Sequence, residues 1–280
     1  KNKQTIYDLV KIYGAIKLSK NEAELKDVRI ITPNPAPVRF LNPIFKKSII
    51  KDGLFTSNIL LNGTTNDIKI TGNIDFSNVL IPLYNSVIDQ IKIKLTENNG
   101  FAQINFNIFN TKGETKMSFV NSLKPPYIIN KMSIKANELN ISDIKFSQNT
   151  NSKNKQTSTL LPTDIKIKEG NVLIDKVYFN DVLGNNLKIN FKYKNGALVI
   201  DSTYLSIADG LIKGTGEYNF QQNNIITNLS FMNCNADILT KAFLNLSGEI
   251  YGSANGKIEL ALRDFNQSDY IQKIKGNIEF

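Results

Sequence analysis

The feature that most narrows the fold is a strict alternation. Ile68, Ile70, Gly72, Ile74 and Phe76 share one parity, while Lys69, Thr71, Asn73 and Asp75 take the other. A period of two puts successive side chains on opposite faces of an extended strand, so this stretch has one oily face and one wet face. The rhythm recurs along most of the chain. Ile91, Ile93 and Leu95 follow it, then Ile104, Phe106 and Ile108, then Met117 with Phe119. It resumes at Ile165 and Ile167, and runs on through Leu187, Ile189, Phe191 and Tyr193. Ile225, Thr227, Leu229 and Phe231 repeat it, as do Ile258, Leu260 and Leu262.

Polar and glycine-bearing groups punctuate these runs and predict turns: Asn98-Asn99-Gly100, Lys112-Gly113, Glu169-Gly170-Asn171, Asn195-Gly196 and Ala208-Asp209-Gly210. Further turns are expected at residues 51–53 and between Gly252 and Gly256. Gly214 and Gly216, spaced by two, leave one face of their strand bare, either for close backbone approach or for something laid across it. Short helices are expected at residues 5–13, at 42–49 with Asn42 as cap, and at 237–243 with Asn235 as cap. Residues 82–90 read as a helical or irregular break. The polar tract 147–159 reads as a loop and a boundary. It divides the chain into a segment 1–146, a loop 147–160 and a segment 161–280, on what reads as one continuous sheet.

Tight turns make sequential strands pair, so the fold class is mostly β with antiparallel neighbours and a few short helices. An open twisted sheet rarely passes about ten strands without curling. A long, curled antiparallel sheet forming an open hydrophobic groove is therefore one solution. The other is a β-sandwich or solenoid with a closed core, serving as an envelope scaffold or adhesion module.

Composition removes several chemistries. The chain has no His and a single Cys, Cys234, so His-dependent nucleophilic catalysis, the commonest zinc ligands and an internal disulfide framework are all excluded. Carboxylates such as Asp175 and Asp181 read as solvated turn residues because nothing else converges on them; no enzyme activity, metal or cofactor is expected. Net charge is +9, almost all of it lysine, with Arg only at Arg29, Arg39 and Arg263. The lysine excess fits attraction to anionic lipid, or simply an AT-rich genome that favours Lys, Asn and Ile codons together. The scarcity of guanidinium forks argues against a nucleic-acid partner. No apolar run reaches the length of a membrane-spanning helix. A chain that opens on Lys1 is expected to be an excerpt or a processed form.

The segment after residue 160 resembles the C-terminal part of AsmA-like (TamB-type) proteins of Gram-negative envelopes. The likeness rests on "DIKIKEGNVLID" (164–175), "GALVIDSTYLSIADGLIKGTGEYN" (196–219), "NADILTKAFLNLSGEIYGSANGKIELAL" (235–262) and "IKGNIEF" (274–280). The earlier "ITGNIDF" (70–76) is similar to the last of these and hints at an internal repeat. The resemblance implies a repeating β-groove held at the inner membrane by a segment outside this chain. It also implies passage of phospholipid across the periplasm toward the outer membrane, with an outer-membrane protein as a further partner. On that reading the groove lining is Ile68, Ile70, Ile74, Phe76, Ile104, Phe106, Leu187, Ile189, Phe191, Ile258 and Leu260. The same alternating rows would serve equally as the core of a sandwich.

Overall fold

A computed structural model describes residues 9–20, 22–41, 52–81, 86–108, 111–143, 163–244, 248, 250–262 and 275–279. The chain is mostly β and divides into two compact units, Lys1–Asn130 and Lys131–Phe280.

The first unit holds β1 (Lys11–Leu18), β2 (Ala23–Ile31), β3 (Ala36–Pro37), β4 (Asp52–Thr64), β5 (Asp67–Ile81), β6 (Ser86–Leu95), β7 (Asn99–Ile108) and β8 (Thr111–Val120). Their order in the sheet is β1-β2-β4-β5-β6-β7-β8, with β3 pairing β4 off this path. The second unit takes most of β9 (Tyr127–Asn140), followed by β10 (Ile165–Phe179), β11 (Val182–Lys194), β12 (Ala197–Ile207), β13 (Gly210–Asn219), β14 (Asn224–Asn235), helix α1 (Ala236–Leu244), β15 (Ser253–Leu262) and β16 (Lys275–Glu279). These strands also lie in sequence order. Every pairing with a stated register is antiparallel, and in neither unit does the described ladder return to its first strand, so neither closes into a barrel. Among the described residues no helix is long and apolar enough to cross a membrane.

The expected turns separate by backbone geometry. A type I′ two-residue hairpin turn, which follows strand twist, takes left-handed backbone at both central residues. Asn195 and Gly196 have φ of 54° and 73°, and Ala208 and Asp209 have 53° and 60°. Both reverse the chain as expected. Gly113 and Gly170 keep ordinary φ, and the strands run through them: Lys112-Gly113 lies inside β8, and Glu169-Gly170-Asn171 lies inside β10. The polar triplet in β10 is absorbed as a register shift between Ile167 and Gly170 instead of a reversal. The chain does reverse at Asn98-Asn99-Gly100, where Thr96 N–H donates to the Asn99 carbonyl at 2.8 Å before Asn99 begins β7. Asp52 and Gly53 begin β4, and Gly256 sits within β15.

Among the described residues, two stretches expected to be helical or irregular are strand. Lys11, Ile12 and Tyr13 are strand, paired with Ile31, Ile30 and Arg29, and Ser86 to Gln90 belong to β6. In both places cross-strand partners override a weak local preference. The proposed helix at 42–49, the polar tract at 147–159, residues 5–8 of the helix expected at 5–13 and residues 82–85 of the break expected at 82–90 lie outside the described residues. Helix α1 forms where expected: Asn235 Oδ1 accepts from the N–H groups of Asp237 (3.1 Å) and Ile238 (3.3 Å), satisfying two of the helix's orphan donors.

Gly72 is the most demanding position in β5. Its φ is +128°, and an added Cβ would meet the Asn58 carbonyl and the Ile59 Cα. Gly216 has ordinary φ, and its nearest obstacle is the Ile226 carbonyl at 3.1 Å. Gly72→Ala is therefore expected to cost about 3 kcal/mol, and Gly216→Ala no more than about 1 kcal/mol. Urea unfolding followed by circular dichroism separates the two; equal costs would contradict this backbone geometry.

Candidate functional site

Residues directly opposite each other on antiparallel neighbours share a face, so the registers define rows that run across strands. In the first unit one row is Ile12, Ile30, Ile59, Gly72, Leu95, Gly100 and Phe119, each paired with the next. Alongside it lie Ser57, Ile74, Ile93, Ala102 and Met117, and then Phe55, Phe76, Ile91, Ile104 and Thr115. Phe106 opposes Ile88, and Ile70 and Ile68 oppose Leu61 and Gly63. The six residues expected in this unit thus share one apolar face.

The second unit repeats the arrangement. Ile189, Thr203, Gly214, Leu229 and Ile258 form one row, and Phe191, Ile200, Gly216, Thr227 and Leu260 the next. On β10, Val172 opposes Ile189 and Gly170 opposes Phe191. All five residues expected in this unit lie in these rows or, for Leu187, one step away opposite Ile174.

Burial distinguishes the members. Ile68, Ile70, Ile74, Ile104, Phe106, Ile189 and Leu260 are half-buried and belong to none of the buried clusters. Phe76 packs against a cluster of Leu9, Ala36, Val38, Phe55 and Val79, with Phe55 and Phe76 ring centroids 6.1 Å apart. Leu187 and Ile258 pack against a second cluster formed by Val182, Leu205, Ile207, Phe231, Cys234 and Ala242. Helix α1 supplies Ala242, Ile238 and Leu239 to that cluster, so it covers the adjoining patch of sheet. Cys234 is fully buried there, and burial pushes its thiol above the usual pKa. Phe191 is buried, at 9% exposure, because its ring lies over Gly170. The bare strip at Gly214 is filled in the same way, with Leu229 Cδ2 2.5 Å from where a Cβ would stand. Close approach of a neighbouring side chain accounts for Gly170 and Gly214; at Gly216 the nearest groups are the Ile226 carbonyl at 3.1 Å and Thr227 Oγ1 at 3.5 Å.

The opposite face is wet. Lys69 pairs with Glu97 at 3.5 Å, Lys116 with Glu114 at 2.9 Å, and Lys192 with Asp201 at 2.9 Å. Asp175 lies in β10 and Asp181 in the following turn, both exposed. Leu61, Ile93, Leu205 and Leu229, outside the expected groove lining, also belong to the apolar face. Each shows the alternation, but its row partner is fixed only by register.

Comparison with family models, with curated proteins and with solved structures gives no match in any of the three.

Truncation reads how much of the apolar face the protein itself covers. In lipid-free protein Ile70→Ala, Ile74→Ala and Ile104→Ala are each expected to cost about 1 kcal/mol, as half-covered side chains should. Phe191→Ala, which uncovers Gly170, is expected to cost about 3 kcal/mol. Chemical denaturation measures all four. Isoleucine losses in the range of about 2–5 kcal/mol would mean a fully packed core.

Proposed function

We propose that this chain is a phospholipid carrier, in which acyl chains lie along the apolar rows while the polar face stays in water. The observation that carries the reading is that Ile70, Ile74 and Ile104 on the apolar face of the first unit, and Ile189 on that of the second, are half-buried and lie outside every buried cluster of the described residues. Contiguous apolar surface of this kind is uncommon on a soluble monomer without a partner of matching chemistry. Hydrocarbon is such a partner. Each exposed methylene costs about 0.8 kcal/mol in water, so moving a two-chain lipid unprotected costs roughly 20 kcal/mol or more. Isoleucine, leucine and phenylalanine rows offer non-directional contact, which holds a chain without fixing its position along the strands.

The resemblance to AsmA-like proteins supplies the biological setting: a bridge between inner and outer membranes across the periplasm, anchored by a segment outside this chain, with an outer-membrane protein as a further partner. The working groups are the apolar side chains, with no catalytic step and no cofactor.

Protein purified without detergent is expected to carry phospholipid, detected by mass spectrometry after solvent extraction. A stably folded, lipid-free preparation that also takes up no lipid from vesicles would overturn the proposal. Ile189→Asp places a charge in the row, and it is expected to lower acyl-chain crosslinking at least about tenfold while leaving the β spectrum intact. Photoreactive residues at exposed Lys188 and Lys192 are expected to capture no acyl chain. Capture there would mean that lipid uses the opposite face.

A further inference from the structure

The β1–β2 hairpin repeats the β6–β7 hairpin. Leu18 lies opposite Ala23 in one and Leu95 opposite Gly100 in the other, with four residues between them in each. The same pair of bonds closes both loops. Ser19 donates to the Glu22 carbonyl from N–H at 2.9 Å and from Oγ at 2.7 Å; Thr96 donates to the Asn99 carbonyl from N–H at 2.8 Å and from Oγ1 at 2.9 Å. The approaches match in sequence, Ile16-Lys17-Leu18-Ser19 against Ile93-Lys94-Leu95-Thr96. The difference lies on the outer side. There β6 is paired with β5, whereas among the described residues β1 pairs with β2 alone. All eight residues of β1 are exposed, and Ile12, Ile16 and Leu18 keep 66%, 60% and 79% of their surface in water. An open backbone edge flanked by apolar side chains is a template for another strand.

The partner of β6 shows what kind of strand fits. β5 contains Ile70-Thr71-Gly72-Asn73-Ile74-Asp75-Phe76, and the chain repeats this as Ile274-Lys275-Gly276-Asn277-Ile278-Glu279-Phe280, which includes β16. β16 also repeats the inner pairing of β5: Gly72 lies opposite Ile59, and Gly276 opposite Leu260. Its other side has no partner among the described residues. The two open edges are therefore the two halves of a junction that the chain already contains once, between β5 and β6.

We propose that β16 of one copy pairs antiparallel with β1 of a second copy, in the register that β5 uses on β6. The pairs Gly72–Leu95, Asn73–Lys94 and Ile74–Ile93 become Gly276–Leu18, Asn277–Lys17 and Ile278–Ile16. Glu279 then falls diagonal to Lys17, a favourable cross-strand neighbour. The register positions Leu229, Ile258 and Ile278 lead on to Ile16, Leu25 and Gly63, so apolar row meets apolar row. Because the two edges differ, the contact is heterologous, and each added copy presents the same two edges again. The pairing stands whether or not the rows carry lipid.

Sedimentation velocity on the full chain is expected to show dimers, trimers and longer species that grow with concentration. Ile16→Lys and Ile278→Lys each charge one edge, and each is expected to weaken self-association about tenfold or more with an unchanged β spectrum. Their equimolar mixture still holds one intact β16 edge and one intact β1 edge, so it is expected to form dimers at the unmutated strength and nothing longer. In a Cys234→Ala background, copies carrying Lys17→Cys mixed with copies carrying Asn277→Cys are expected to yield a disulfide joining positions 17 and 277, found by peptide mass spectrometry. A chain that stays monomeric at about 100 μM, a mixture that does not dimerise, or crosslinks that join position 17 to position 17 would each overturn the proposal. Lipid co-purification is read separately and is expected to be the same in both edge variants.

Discussion

Cross-strand register is the constraint on which everything else depends. Because side chains alternate, a slip of one residue would move every isoleucine of a strand to the wet face. Sequential pairing through tight turns pins the register at one end of each hairpin. The long ladders then need correction along their length, and asparagine supplies much of it. Asp27, Asn186 and Asn233 have φ of 50°, 56° and 53°, and each lies where its strand's register shifts. Asn78, at 51°, sits opposite the shift between Asp52 and Leu54. Asn and Asp tolerate this left-handed conformation better than other side-chain-bearing residues. The Asn-rich composition therefore has a structural use beyond codon preference.

These bulges also decide which side chains reach the protein interior. In β10, Ile174 and Val177 are both buried although they are three apart, opposite the β11 stretch that contains Asn186. In β5, the residue after Asn78 is Val79, which turns inward to join Phe55 and Val38. The buried clusters thus gather where alternation is broken, and the half-buried rows occupy the stretches where it is kept. The proposed division of labour follows: irregular ends are packed by the chain, regular middles are left for hydrocarbon.

Glycine serves two separate ends within the ladders. At Gly72 it permits a backbone conformation that other residues avoid. At Gly100, Gly170 and Gly214 it makes room for the side chain of the neighbouring strand, respectively Phe119, Phe191 and Leu229. The second use keeps the apolar face continuous, because a large side chain on one strand fills the gap left on the next.

Sequence alone determined the class of fold, since a period of two repeated across Ile68–Phe76, Leu187–Tyr193 and Ile258–Leu262 admits no helical reading. It also determined the Asn195-Gly196 and Ala208-Asp209 reversals and the Asn235 cap, which rest on the local chemistry of a few adjacent residues. Tertiary structure decided the rest. Whether Glu169-Gly170-Asn171 turns or bulges depends on the strand beside it, because only a partner's hydrogen bonds can hold such a triplet extended. Whether Phe76, Leu187 and Ile258 stay half-open or join a packed cluster depends on segments distant in sequence, the 36–41 stretch and helix α1.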